Sequence, residues 1–179
     1  RDVLGSRGLG DVYKRQPDAD MVNEAIEYAL KKDVLIIQAA GNNKRNIDLI
    51  TYFPSAKDAQ GKIFPNYLRV GSSDKKGQLS QFSNYGAKEV DVFAPGEEIT
   101  SVTVGNKYMV SQGTSIATPI VSGVAAMLRA HFPKLTATQI KEILIKSVRP
   151  ADNLKDRCTS GGIIDALQAV KLATEYKKR

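Results

Sequence analysis

The chain has 179 residues, of which 42% are hydrophobic and 25% charged, and these values are typical of one globular domain. The net charge is +7, but the basic residues are scattered and no aromatic residues alternate with them, so we expect no nucleic-acid partner. No apolar run approaches the ~20 residues that span a membrane. The single cysteine, Cys158, excludes a disulfide within the chain and a multi-cysteine zinc site.

Residues 1–16 contain three glycines and little hydrophobic periodicity. The string DVYKRQ at residues 11–16 resembles translated adapter sequence, which is not structural sequence. We therefore interpret residues 1–16 as a non-native segment, with a flexible N-terminal arm as the alternative. On either interpretation, the domain comprises residues 17–179.

The first predicted elements are a helix and a buried strand. Pro17 and the aspartates after it mark the start of a helix that continues to Lys32 with apolar residues at helical spacing. Residues 34–40 are almost entirely apolar, which is typical of a central parallel strand buried on both faces. Gly41 and Asn42 follow this strand, at the sheet edge where open α/β sheets bind their ligands.

The remaining pattern predicts an alternation of strands and helices. Further strands are expected at 67–72 and 90–94, and a hairpin from 100–104 and 107–111. A helix at about 114–131 is apolar nearly all round and is therefore expected to be buried. A capping box at Thr136–Gln139 starts another helix, and a last helix covers roughly 165–176. We predict an α/β fold, a three-layer α/β/α domain with a mainly parallel sheet.

The most specific motif is Gly113-Thr114-Ser115-Ile116-Ala117-Thr118-Pro119, at the start of the long helix. The first N–H groups of a helix have no partners within it and carry the positive end of its dipole. The Ser115 hydroxyl therefore lies beside donors for a negative oxygen. A capped core helix without chemistry is the alternative. The motif resembles the nucleophile motif of the subtilisin-like serine proteases (subtilases, peptidase family S8), commonly written G-T-S-x-A-x-P.

Other segments resemble the same family, and the resemblance extends from Pro17 to about Val170. They are F-S-N-x-G at 82–86, V-D-V-x-A-P-G at 90–96, and the oxyanion-hole segment Ala39-Ala40-Gly41-Asn42. The resemblance implies that Ser115 is the nucleophile, that the Asn42 side chain is an oxyanion donor, and that Phe53-Pro54 is cis. Taken alone, Asn42 could equally be a turn residue.

The resemblance also implies a substrate pocket lined by Ala39, Ala40 and Gly41. Walls this small and uncharged indicate an apolar side chain before the cleaved bond. The substrate would be a polypeptide, and the family resemblance indicates a secreted or cell-envelope protein.

A serine nucleophile needs a histidine base, which is itself oriented by a carboxylate. His131 is the one histidine of the chain. It lies roughly 24 Å from Ser115 along the predicted helix axis, which excludes it as the base. We interpret it as a C-terminal helix residue that the dipole favours. The family's D-[ST]-G and H-G-T-x-x-A-G motifs do not occur in this sequence.

The chain therefore resembles the C-terminal part of a subtilisin-like catalytic domain, with the N-terminal part missing. We expect no metal ligands or cofactor in it; many members build a calcium site in the other half of the domain. The main hypothesis is a serine endopeptidase that is inactive as this piece. The alternatives are a non-catalytic pseudoprotease or peptide-binding domain, and a basic α/β nucleic-acid-binding domain.

Overall fold

The computed structural model describes residues 19–50, 52–58 and 60–176. The predicted elements are present, with two short strands added near the C-terminus. The helices are α1 Ala19–Lys31, α2 Thr114–His131, α3 Ala137–Lys146 and α4 Ala166–Tyr176. The strands are β1 Ile36–Ala39, β2 Tyr67–Ser73, β3 Val92–Pro95, β4 Ile99–Thr103, β5 Lys107–Ser111, β6 Arg149–Pro150 and β7 Gly162–Ile163.

The main sheet has the strand order β1-β2-β3-β7-β6. The first four strands of that order are parallel, and β6 runs antiparallel to β7. Ile36 lies opposite Tyr67, and Val70 lies opposite Val92. The predicted parallel sheet is confirmed. Because parallel strands end at the same edge, the loops after β1, β2 and β3 gather there.

The predicted position of β1 within the sheet is wrong for the described residues. It is an edge strand that pairs with β2 alone, and its residues are half-buried rather than buried on both faces. Val34, just before it, is 49% exposed. The apolar run predicts a strand with two neighbours, but the described part of the chain supplies only one.

Helices cover both faces of the sheet, and this confirms the three-layer α/β/α architecture. On the first face, α2, α3 and α4 pack against side chains of β2 and β3, namely Leu68, Val70, Val92 and Ala94. On the second face, α1 places Ile26 against Phe64 and Tyr67. Loop residues complete that second face around Phe93, with Cys158 buried among them.

The expectation that α2 is buried nearly all round is also wrong. One face is buried, through Thr114, Ala117, Val121, Ala125 and Leu128. The opposite face is an exposed stripe of small side chains: Ser115, Pro119, Gly123, Ala126 and Ala130. The helix therefore packs on one side only among the described residues.

Three local predictions are confirmed. The Phe53–Pro54 peptide bond is cis. The capping box at the start of α3 is formed, with the Thr136 hydroxyl accepting from the Gln139 N–H at 3.2 Å. Strands β4 and β5 form the predicted antiparallel hairpin. No helix in the described ranges is long and apolar enough to cross a lipid bilayer.

Candidate active site

Ser115 is the second residue of α2, and its side chain is exposed. Gly113 precedes the helix with φ 148°, a conformation that favours glycine. The Gly113 carbonyl accepts the N–H groups of Ile116 and Ala117, at 3.0 and 3.2 Å. Within the described residues, no acceptor binds the Ser115 N–H, which therefore points out of the first helical turn as a free donor.

The Asn42 side chain is bound to the first residue of the same helix. The N–H and hydroxyl of Thr114 both donate to Asn42 Oδ1, at 3.0 and 2.9 Å. The Thr114 hydroxyl in turn accepts from the Gly41 N–H at 3.1 Å. Because both bonds fix Oδ1 as the acceptor, the Nδ2 donor must lie on the opposite side of the carboxamide.

Ser115 and Asn42 lie together at the carboxyl end of β1, although they are far apart in sequence. A Cβ placed on Gly113 would lie 3.1 Å from Ser115 Oγ and 3.3 Å from Asn42 Nδ2. The two atoms are therefore at most about 6.5 Å apart, the sum of these two distances. A carbonyl group can contact both, since each hydrogen bond spans about 3 Å.

Asn84 fixes the loop that carries Asn42. It is fully buried in the segment before β3. Its Nδ2 donates to Ala40 O at 2.8 Å, and its Oδ1 accepts the N–H groups of Asn43 and Arg45 at 3.1 and 3.0 Å. Sequence analysis missed Thr114 and Asn84 as residues of the site. The F-S-N-x-G segment was the one available signal for Asn84.

The residues expected to line a substrate pocket differ in accessibility. Ala39 and Gly41 are partly exposed. Ala40 is 0% exposed, because its methyl group packs in the second-face cluster, and its N–H is bonded to Val70 O. The prediction is therefore corrected for Ala40, which belongs to the core. Tyr52 closes the space beside Gly41, since a Cβ on Gly41 would lie 2.1 Å from the Tyr52 hydroxyl oxygen.

No described side chain beside Ser115 can act as its base. His131 is the last residue of α2, at the opposite end of the helix. Tyr67 starts β2 at the far end of the sheet, and burial raises its pKa to about 12. Asp91 accepts the Arg69 N–H, and burial raises its pKa, although Lys141 Nζ at 3.5 Å acts to lower it.

The described residues contain no group of three or more His, Cys, Asp or Glu side chains placed to hold a metal ion. They therefore offer no fit for the calcium that the family resemblance implies for other members. That expectation concerns a different part of the domain.

Comparison with known proteins identifies the family. Residues 4–166 match the family described as the Subtilase family. The chain belongs to the subtilase family. The match includes residues 4–16 of the segment interpreted as non-native, which lies outside the described residues and stays a prediction.

Several relatives of this subtilase chain are serine proteases by name. It is 39% identical over 148 residues to the thermophilic serine proteinase of Bacillus sp. (strain AK1), covering 73% of this chain and 34% of the relative. It is 33% identical over 153 residues to the major intracellular serine protease of Bacillus subtilis (strain 168), covering 80% and 45%. It is 37% identical over 147 residues to the extracellular basic protease of Dichelobacter nodosus, covering 76% and 23%.

Solved structures confirm the subtilase fold. The prenylagaramide maturation protease PagA is similar with a TM-score of 0.71 and 29% identity, over 85% of this chain and 55% of that chain. A structure of the subtilase cytotoxin SubAB gives a TM-score of 0.73 and 27% identity, over 88% and 55%. This subtilase chain therefore spans about half of these solved chains and less than half of the curated relatives just named.

Proposed function

We propose that this chain carries the nucleophile and the two oxyanion donors of a serine endopeptidase that cleaves polypeptides. The observation that supports the proposal is the convergence of Ser115 Oγ and Asn42 Nδ2 at the N-terminus of α2. Family membership adds to it, because the named relatives are serine proteases.

In the proposed reaction, Ser115 Oγ attacks the carbonyl carbon of a peptide bond and forms a tetrahedral intermediate. The negative oxygen of that intermediate accepts from the Ser115 N–H and from Asn42 Nδ2. Both donors are in place before the reaction, so little reorganisation is needed as charge develops. The acyl group then remains on Ser115 while the amine departs, and water releases it in a second step.

The proton of the Ser115 hydroxyl must be removed during the attack, and this chain has no histidine near enough to take it. We propose that a histidine and an aspartate from a part of the catalytic domain outside these 179 residues complete the site. The chain on its own would then be inactive at an enzyme-like rate. In subtilisin, a member of this family, removal of triad residues leaves about 10³–10⁴-fold of catalysis over water.

A fluorophosphonate probe tests this function, because it labels a serine only when the hydroxyl is activated. We expect the complete protein to be labelled, and Ser115→Ala to abolish labelling. Ser122→Ala is the matched control, since Ser122 lies on the same helix and donates to Thr118 O. We expect no labelling of the 179-residue chain alone.

Two results would contradict the proposal. If the complete protein were unlabelled and bound peptides without cleaving them, the pseudoprotease hypothesis would replace the endopeptidase. If the 179-residue chain alone were strongly labelled, a base within it would have been missed.

We also propose a secreted or cell-envelope location. The extracellular relative from Dichelobacter nodosus supports it, whereas the relative from Bacillus subtilis is named as intracellular. Fractionation of the source cells, followed by detection of the protein in medium, envelope and cytosol, decides between the two.

A further inference from the structure

Asn84 is a buried carboxamide whose hydrogen bonds all serve one loop. It is 0% exposed, and its side chain makes the three bonds to Ala40, Asn43 and Arg45 described above. Its backbone N–H donates to Gly41 O at 2.8 Å, which makes a fourth bond to the same loop.

These four bonds bracket Asn42 on both sides. Ala40 and Gly41 are held immediately before it, and Asn43 is held immediately after it. Asn42 itself receives no bond from Asn84 and is exposed. Asn84 thus fixes the backbone from which the Asn42 side chain projects, and it leaves that side chain free to meet a ligand.

The loop requires such support because its own backbone is irregular. Gly41 and Lys44 have positive φ angles, of 97° and 53°. In this conformation, the loop does not continue the ladder of β1, and its N–H and C=O groups need other partners. A carboxamide supplies one acceptor and one donor side by side, which a carboxylate or an aliphatic side chain does not.

Asn84 is itself anchored to the sheet. The neighbouring Ser83 hydroxyl accepts the N–H of Ser72, in β2, at 3.0 Å. The Ser72 and Ser80 hydroxyls lie 2.9 Å apart, and Ser80 N–H donates to Ser72 O at 3.0 Å. The position of the loop is therefore referred to β2, next to the strand that ends at Asn42.

From this geometry, we propose that Asn84 is a positioning residue for the oxyanion donor Asn42. The proposal rests on the proposed function, in which Asn42 Nδ2 binds the tetrahedral intermediate. A donor of this kind must be held within about 0.5 Å of its productive position, and a misplacement of about 1 Å can cost 10²-fold in rate. Loss of Asn84 therefore weakens binding of the transition state more than binding of the substrate.

The test compares Asn84→Ala and Asn84→Asp with Asn66→Ala in the complete protein. Asn66 is a matched control because it is equally buried and its Nδ2 also donates to backbone carbonyls, but it precedes β2 at the other end of the sheet. Asn84→Asp keeps the acceptor and removes only the donor. The measurements are kcat and KM on a peptide substrate, the inhibition constant of a peptide boronate that forms a tetrahedral adduct, and the melting temperature.

We expect both Asn84 variants to lose about 10–100-fold in kcat, with KM within about threefold of wild type. The inhibition constant of the boronate should rise in parallel with the loss of kcat. Asn66→Ala should lower the melting temperature by a similar amount and leave kcat within about twofold. In an Asn42→Ala background, Asn84→Ala should cost little further kcat, because the donor that it positions is gone.

Some results would overturn the proposal while leaving the proposed function intact. They are an Asn84 effect on kcat no larger than that of Asn66→Ala, an effect on KM alone, or full additivity with Asn42→Ala. Loss of the fold in both Asn84 variants would also overturn it, because Asn84 would then be a residue of the fold and not of the site. An inactive wild-type protein would instead refute the proposed function itself.

Discussion

At the residue scale, the site depends on the orientation of one carboxamide. Asn42 Oδ1 accepts two bonds from Thr114, so the group cannot rotate to present oxygen to a ligand without losing both. The donor is therefore fixed by the same residue that begins the catalytic helix. This arrangement couples the end of β1 to the start of α2.

Replacing Asn42 by alanine removes one of the two proposed oxyanion donors. We expect kcat of the complete protein to fall by about 10²–10³-fold, the magnitude measured for the corresponding change in subtilisin, a member of this family. Asn43→Ala is the control, since only the backbone of Asn43 contacts Asn84. Steady-state kinetics of both variants checks this prediction, and equal losses in the two would contradict it.

Gly41 is the tightest backbone position of the site. A Cβ on it would meet the Tyr52 hydroxyl at 2.1 Å and Asn84 Nδ2 at 2.6 Å. Gly61 has a similar positive φ of 82°, but nothing lies within 4 Å of its Cβ position. Gly61→Ala should cost about 1–2 kcal/mol of unfolding free energy from backbone strain alone. Gly41→Ala should cost about 1–3 kcal/mol more, because side chains must move.

Urea unfolding of the two glycine variants in the complete protein measures this difference. Equal destabilisation by both substitutions would show that the contacts around Gly41 relax without cost.

Residue patterns predicted the site better than its surroundings. Ser115 and Asn42 were found because each lies in a local motif at the end of an element. Arg69 could not be assigned from its sequence context, a strand with charge in it. The structure buries it completely, with bonds to Gln38, Glu89 and the carbonyls of Tyr52 and Pro54. These partners come from four distant segments, which periodicity in one segment does not reveal.

At the element scale, the turn before β1 joins two helices. Asp33 Oδ2 accepts from Arg129 Nη1 near the end of α2, at 2.7 Å, and Asp33 Oδ1 accepts from the first N–H of α3 at 2.6 Å. The Arg129 bond and then the helix N–H lower the pKa of this carboxyl below its ordinary value of 3.8. The charged form therefore stabilises the junction.

Because the folded pKa is lowered, this stabilisation is present above about pH 4 and is lost as the pH falls through the folded pKa. We predict that Asp33→Asn costs about 1 kcal/mol or less at pH 6, since the pair is partly exposed, and less still at pH 3. Asparagine is the suitable replacement because it tolerates the positive φ of 57° at this position. Unfolding free energies at both pH values check this, and a pH-independent difference would contradict it.

Element type was predicted well, and element neighbours were not. The apolar run at 34–40 and the apolar helix at 114–131 both indicated burial on all sides. Each is buried on one side in the described residues, because a sequence pattern records that a face is apolar and not which segment covers it. Both uncovered faces lie on the same side of the domain as β1.

At the scale of the whole molecule, β1 is the edge at which the sheet stops. The N–H groups of Ile36 and Ala40 donate toward β2, to Asn66 O and Val70 O, both at 2.8 Å. Since the direction alternates along a strand, the N–H groups of Ile37 and Ala39 point away from it. A sheet edge of this kind is a template for another strand.

We predict that a further strand pairs with β1 in the complete protein. The amides of Ile37 and Ala39 should then exchange with deuterium as slowly as those of Ile36 and Ala40. Residue-resolved hydrogen exchange measures all four in one experiment. Fast exchange confined to Ile37 and Ala39 would show that β1 is also the outer strand of the complete domain.

The position of the lone thiol has a consequence for experiments on the folding of this molecule. Cys158 is 2% exposed in the cluster on the second face, and burial raises its pKa. A thiol reagent can therefore reach it only when that layer separates from the sheet. With no other sulfhydryl in the sequence, the labelling rate is an intrinsic clock for that opening, without any engineered probe.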